Sequence, residues 1–269
     1  MSTARELKRR LQSVTGTYQM TQAMRMVSAS KYNRALAMYR AYKPYQEQCE
    51  RLSVAIGANA VTPREVRRVL YVAVTGNRGL CGACNHEVIT ELKNRLKEQT
   101  LPYDVMVCGK WGIENCDIPF TPYVIADIPT REQATELCHK LRKLYEDGVA
   151  DEIYFVSQRF RNVLTRTPET RLFMPQKHEQ EQLRADYIFE PSKAAITEAV
   201  GRQALTGDVW ETLLSAAASV QSAMMMTMRT ASDNSEKLMD DLSLKLNRMR
   251  QSSVTTQVLE VASATVRED

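Results

Sequence analysis

The segment Thr75-Gly76-Asn77-Arg78-Gly79-Leu80-Cys81-Gly82 follows an apolar run and precedes a helix-forming one, which is where phosphate-binding loops sit. Its glycine spacing is not that of G-x-G-x-x-G. No Gly-Lys-Ser/Thr follows, and no acidic residue closes a clear strand about twenty residues on. A tight turn joining strand to helix is expected here, without nucleotide binding. The same loop contains Cys81-Gly-Ala-Cys84, a spacing used in redox motifs. That chemistry requires the first cysteine at a helix N-terminus with a lowered pKa. Zinc would require a second close pair, and Cys108 and Cys116 are too widely spaced to supply it. Two buried or half-buried structural thiols, without control over activity, are therefore expected. His86, His139 and His178 are scattered. Asp233, Glu236, Asp240 and Asp241 read as the solvated face of a helix. No catalytic centre, cofactor site or metal site emerges, and the informative features are mechanical.

Composition narrows the class further. The chain has 269 residues, 43% of them hydrophobic, and is rich in methionine, with Met224, Met225 and Met226 consecutive. Methionine tolerates imprecise packing and suits a surface that meets several partners in turn. Residues 1–48 are basic (Arg5, Lys8, Arg9, Arg10 and others against only Glu6 and Glu47), whereas residues 208–269 carry more acids than bases. The basic stretch has few interleaved aromatics, and the chain is not basic enough for a nucleic-acid module. No apolar segment follows the N-terminal charges, so no signal peptide is read, and the six cysteines are expected as reduced thiols on the cytosolic side. Leu213–Met228, the most apolar stretch, is too short and too polar to span a bilayer.

The elements that would hold these residues follow from the breakers. Residues 208–269 contain neither glycine nor proline. A helix of about sixty residues would extend roughly 90 Å at ~1.5 Å per residue, so it needs a partner helix or an external sleeve. Leu7, Leu11, Val14, Tyr18 and Thr21 form one narrow stripe, expected to rotate through Met20, Met24 and Val27. Pro44 is expected to kink or loosen this helix. In the C-terminal run Leu213, Ala217, Val220, Met224, Met228, Ala231, Ser235, Leu238, Leu242, Leu246, Met249, Ser253 and Thr256 keep a three/four spacing, after a break expected at Gly201 and Gly207. Between the two runs, strands are expected at 69–74, 103–108 and 152–157, helices at 87–99 and 130–145, an extended arm or hairpin at 163–174 and a loop at 177–184. The fold class expected is α/β: a long antiparallel coiled coil of N- and C-terminal helices (1–58 and 208–269) with an inserted Rossmann-like α/β domain (67–190).

Three segments carry a resemblance. They are Leu7-Lys-Arg-Arg-Leu-Gln-Ser-Val14 continuing through Thr21-Gln-Ala-Met24-Arg-Met-Val27 to Lys31, the loop Asn77–Asn85, and Met228-Arg-Thr-Ala-Ser-Asp233-Asn234 followed by Leu246–Thr256. Together they closely resemble the gamma subunits of F-type ATP synthases, nearly end to end. The resemblance implies a central rotor shaft that binds no cofactor and catalyses nothing. Its partners would be three alpha and three beta subunits around the coiled coil, an epsilon subunit, and a ring of membrane c subunits. It implies contact with the membrane only through that c-ring, at the cytoplasmic face of a bacterial cell membrane, and no nucleic acid. By motif position, Met24, Arg250, Gln251 and Thr255 match residues that touch a beta subunit. Tyr187 and Glu190 lie in the segment resembling the foot near the c-ring and epsilon.

The sequence also departs from the family pattern. Gln22 stands where lysine is usual, Asn77 where an acid is usual, and the chain ends in Arg267-Glu268-Asp269 where many relatives are apolar. No equivalent of the plastid dithiol insert is present, so redox control of that kind is not expected. The rival classes are a Rossmann-type enzyme with helical arms, which would retain nucleotide on purification, and a free coiled-coil scaffold, which would be stable alone.

Overall fold

The computed structural model describes residues 4–57, 64–176 and 189–265. The chain divides into two compact units, one of Met1–Val27 with Met225–Asp269 and one of Ser28–Met224. Two long helices at the chain ends, α1 (Ala4–Ile56) and α5 (Lys193–Thr265), enclose in sequence β1 (Val69–Val74), α2 (Cys84–Glu98), β2 (Tyr103–Cys108), α3 (Lys110–Asn115), β3 (Thr121–Tyr123), α4 (Arg131–Glu146), β4 (Glu152–Phe160) and β5 (Arg166–Met174). The long terminal helices pack together, and the strands between them form one mixed sheet.

In the second unit the sheet order is β3-β2-β1-β4-β5. β1 pairs in parallel with β2 and β4, β2 with β3 likewise, and β5 returns antiparallel on β4. Every residue of β1 is buried, as a central parallel strand covered on both faces requires. Its alternate side chains feed two cores. Leu70, Val72 and Val74 meet Leu137 and Leu141 of α4 and Leu205, Val209 and Leu213 of α5. Val69, Tyr71 and Ala73 meet Val88 and Leu92 of α2. α4 starts in a capping box: Thr130 Oγ1 accepts from Gln133 N–H at 3.3 Å, and Gln133 Oε1 accepts from Thr130 N–H at 3.3 Å.

The segment expected as an extended arm or hairpin is β5, the second strand of a hairpin with β4. α3 and β3 lack a sequence signal because they are only six and three residues long. The loop expected at 177–184 lies outside the described residues.

The break expected at Gly201 and Gly207 does not occur, since α5 runs through both. Gly207 serves close packing instead: a Cβ there would lie 2.7 Å from Gln46 Cδ and collide with the Tyr42 hydroxyl. α1 likewise continues through Pro44, whose side chain is exposed. In this unit the two long helices run antiparallel. Tyr39 OH donates to Glu211 Oε1 at 3.3 Å, the Tyr42 and Trp210 rings are 4.4 Å apart, and Gln46 Nε2 donates to Ala204 O at 3.0 Å.

In the first unit α1 and α5 meet along a thin seam. On α1 Leu7, Leu11, Val14, Tyr18, Thr21 and Arg25 are buried or half-buried, at spacings that alternate four and three. The expected rotation through Met20 and Val27 does not take place: these are 65% and 54% exposed, while Thr21 is 8% exposed. On α5 the seam is Met228, Ser232, Ser235, Met239, Leu242, Leu246 and Met249. Ser232 and Met239 replace the expected Ala231 and Leu238, the latter 39% exposed, and the expected Ser253 and Thr256 are exposed beyond the end of the seam.

Candidate functional site

The loop after β1 lies at the C-terminal edge of the parallel strands, where open α/β sheets bind ligands. Here its polar groups are engaged internally. Gly76 N–H donates to Asn85 Oδ1 at 2.9 Å, and Gly76 O accepts from Trp111 N–H at 3.1 Å. Thr75 Oγ1 donates to Cys108 O at 2.8 Å and accepts from Gly112 N–H at 3.1 Å. Gly109 takes a positive φ of 96° ahead of α3, where a Cβ would lie 2.8 Å from Gly76 O. Backbone packs against backbone here, so the geometry favours a packed turn.

Asn77 joins this loop to two others. Its Nδ2 donates to Ile125 O at 2.8 Å and Asp127 Oδ1 at 3.0 Å, and its Oδ1 accepts from Lys110 N–H at 3.0 Å. Asp127 in turn forms an ion pair with Lys31 of α1. Burial pushes the Asp127 carboxyl up, but the hydrogen bonds from Lys31 and Asn77 outweigh it and hold the pKa below the usual aspartate value. This network fastens the first long helix to the loops that follow β1 and β3.

A second attachment uses the hairpin. Arg171 of β5 grips Asp208 of α5 with two bonds of 3.0 and 2.6 Å, and reaches Thr212 Oγ1 at 2.8 Å. Beside it, Tyr39, Lys43, Glu50, Arg159 and Glu211 line a polar cleft of about 320 Å³. Burial first, and the neighbouring Asp208 and Glu50 next, raise the Glu211 pKa. Burial and Glu211 push the Tyr39 phenol up to about 12.

The residues matched to partner contacts are distributed as follows. Met24 is half-buried on α1. Arg250, Gln251 and Thr255 are exposed on α5, with the Thr255 hydroxyl donating to Gln251 O at 2.9 Å. They fall just beyond Met249, the last seam residue, and every side chain from Gln251 to Leu259 is exposed. Glu190 is exposed three residues before α5 begins, and Tyr187 lies outside the described residues. Asp233, Glu236, Asp240 and Asp241 are all exposed, as a solvated face should be. Cys81 and Cys84 are both buried free thiols, and α2 starts at Cys84. Sequence reasoning missed the roles of Lys31, Asp127 and Arg171, because a lone charge carries no local signal of a partner about forty to a hundred residues away.

Among the described residues no three His, Cys, Asp or Glu side chains are grouped to hold a metal ion, and no helix is long and apolar enough to cross a membrane.

Comparison with known proteins bears on this arrangement. The family model described as ATP synthase matches residues 3–265. The ATP synthase gamma chain of Flavobacterium johnsoniae is 34% identical over 277 residues, covering 97% of each chain. That of Staphylococcus saprophyticus is 30% identical over 285 residues, covering 99% of each. In fold, the chain is similar to one in the Euglena gracilis mitochondrial ATP synthase OSCP/F1/c-ring structure, with a TM-score of 0.70 at 16% identity over 98% of this chain and 93% of that one. A chain of the Tetrahymena thermophila mitochondrial ATP synthase central stalk and c-ring structure gives 0.58, covering 79% and 99%. A full-length match in sequence, two long packed helices and an inserted α/β sheet lead to one conclusion: the chain belongs to the ATP synthase gamma-chain family, the non-catalytic central-stalk subunits of F-type ATP synthases.

Proposed function

We propose that the chain turns inside a ring of three alpha and three beta subunits, coupling ion-driven rotation of a membrane c-ring to ATP synthesis or hydrolysis. In this reading Arg250, Gln251 and Thr255 grip a beta subunit, Met24 faces a beta lever, and Tyr187 and Glu190 lie at the foot beside the c-ring and an epsilon subunit. The subunit holds no nucleotide of its own and sits at the cytoplasmic face of a bacterial cell membrane, attached through the c-ring.

The observation that supports this most directly is the uncovered end of α5. Residues 251–259 are helical yet exposed all round, including Val254, Val258 and Leu259 at 52%, 60% and 63%. An isolated helix without a packed face is marginal in water. An external sleeve supplies the missing burial, and scattered small and apolar groups permit sliding against three chemically identical neighbours better than fixed ion pairs would.

Purification of the tagged chain from its own cells tests the reading. Mass spectrometry should recover alpha and beta subunits in equal amounts and in excess over this chain, with epsilon and c subunits in detergent extracts. Recovery of the chain alone, or with bound nucleotide and no alpha or beta subunits, would overturn it in favour of a scaffold or an enzyme.

A further inference from the structure

We propose that Cys81 and Cys84 form a reversible dithiol that hydrogen peroxide oxidises to an intrachain disulfide in the β1–α2 loop. This departs from the expectation of two merely structural thiols: although α2 starts at Cys84, the second cysteine of the pair, a turn brings Cys81 back beside that helix start.

Geometry comes first. Cys84 N–H donates to Cys81 O at 3.4 Å, closing a turn from one cysteine to the other. Such a turn holds its end Cα atoms within about 7 Å. That range overlaps the roughly 4.4–6.8 Å that a disulfide spans. The Cys81 and Cys84 thiols lie close enough to affect each other's ionisation, Asn85 N–H in the first turn of α2 favours a charge on the Cys81 sulfur, and the Cys81 thiol donates weakly to Arg78 O at 3.9 Å. α2 begins at Cys84 and runs to Glu98, so its positive N-terminal end lies beside the pair.

The surroundings separate the roles of the two thiols. The hydrogen bond from Cys84 lowers the Cys81 pKa against the opposing effect of burial, and Arg166 on β5 favours the thiolate further. The same bond, together with burial and the nearby Glu87, raises the Cys84 pKa. Cys81 is thus the nucleophile and Cys84 the resolving thiol. Arg166 Nε is buried with no hydrogen-bond partner among the described residues, as is Gln158 Oε1. Gln158 Nε2 donates to Cys84 O at 3.0 Å and Glu87 Oε2 at 2.8 Å, fixing the start of α2 against β4. The other fully buried thiols lack these features: burial pushes Cys108 up to about 12 and Cys138 up to about 11.

Cys81 is only 1% exposed, which selects a small oxidant over a bulky disulfide. The Cys81 thiolate attacks one peroxide oxygen; an S–O bond forms, the O–O bond breaks, and the departing hydroxide takes a proton to become water. The Cys84 sulfur then attacks the sulfenic sulfur; the S–S bond forms, the S–O bond breaks, and the departing hydroxide takes the Cys84 proton as a second water. The two thiols lose two electrons and two protons in total, and the peroxide is reduced to two waters. The disulfide would staple the loop that carries Asn77 to the start of α2.

The test is peptide mapping of the assembled complex after brief exposure to hydrogen peroxide, with free thiols blocked before digestion. The expected product is a Cys81–Cys84 linked peptide, reversed by dithiothreitol, formed about tenfold faster than any oxidation of the half-buried Cys49 and Cys116. In Cys84→Ser the sulfenic acid at Cys81 should persist and be captured by dimedone added as the oxidised complex is denatured, since Cys81 is buried in the fold. Oxidation of Cys49 or Cys116 first, passage of Cys81 to the sulfinic acid without the linked peptide, or no reaction at Cys81 would each overturn the proposal. If the serine variant does not assemble, the wild-type map decides alone.

Discussion

Ser232 Oγ on α5 donates a hydrogen bond of 2.8 Å to Thr21 Oγ1 on α1, and the Thr21 hydroxyl donates onward to Tyr18 O at 2.9 Å. Both residues are buried, at 1% and 8% exposure, in seam positions that a coiled coil usually fills with leucine. A buried polar pair costs little when intact, but leaving one member unpaired costs about 1–3 kcal/mol. Thr21→Val should therefore destabilise the full chain by about 1–2 kcal/mol, and Ser232→Ala by about 1 kcal/mol. The double variant should lose clearly less than the two together. Urea unfolding in a double-mutant cycle measures the coupling; strictly additive losses would show that the contact carries no energy.

The same pair explains what was legible in the sequence. The stripe from Leu7 to Thr21 was readable because its members are mostly apolar. Beyond Thr21 burial continues through Arg25, Ser28, Tyr32 and Ala35 with the same alternating spacing, and on through Tyr39, Tyr42, Gln46, Cys49, Ser53 and Ile56. Periodicity of hydrophobicity loses this line, since Met20, Met24 and Val27 are more apolar than Thr21, Arg25 and Ser28. Met20 and Val27 nevertheless face outward. In the sheet, β1 and β2 were legible to the residue, because short valine-containing apolar runs bounded by breakers have few other solutions. The residues matched to partner contacts became candidates only through the family motif, since nothing in their spacing signals a grip.

Gly207 sets two principles against each other. Helix propensity alone says that Gly207→Ala should stabilise an interior helical position by about 1 kcal/mol. Packing opposes this, because the added methyl meets Gln46, which is fully buried and bonded to Ala204 O and to Glu50 Oε1 at 3.2 Å. Overpacking of this kind costs about 1–3 kcal/mol. The packing loss should win, giving a lower urea midpoint for Gly207→Ala; a higher midpoint would mean that Gln46 moves aside freely.

The Lys31–Asp127–Asn77 network makes a prediction in pH. Asp127 has a folded-state pKa below its unfolded value, so its contribution is fully present above the unfolded value of about 3.9 and is lost as pH falls through the lower folded value. Asp127→Asn should cost about 1 kcal/mol at neutral pH, allowing for the partial exposure of both charges. The difference between wild type and variant should shrink on acidification below pH ~4. Unfolding midpoints followed from pH 7 downward check this, and a difference that stays constant through the acid range would show that the carboxylate charge is not what matters.

Coupling is the last expectation. Arg250 and Gln251 are exposed on α5 immediately beyond the seam, while the Thr255 hydroxyl is already engaged with Gln251 O. In the function proposed above, Arg250 and Gln251 are therefore the groups left to grip an acidic loop of one beta subunit. Charge-assisted bonds partly shielded from water are worth about 1.5–3 kcal/mol. They must break and reform at each rotary step, so their loss acts on stepping more than on assembly. Arg250→Leu combined with Gln251→Leu should lower multisite ATP turnover of the assembled complex about tenfold or more, since about 1.4 kcal/mol corresponds to a factor of ten in rate. Slow single-site hydrolysis, which needs no rotation, should persist, and Thr255→Val alone should change turnover far less. Steady-state turnover of the double variant within about twofold of wild type, in a complex of full subunit composition, would mean that these side chains only solvate the helix and that the grip lies elsewhere on α5.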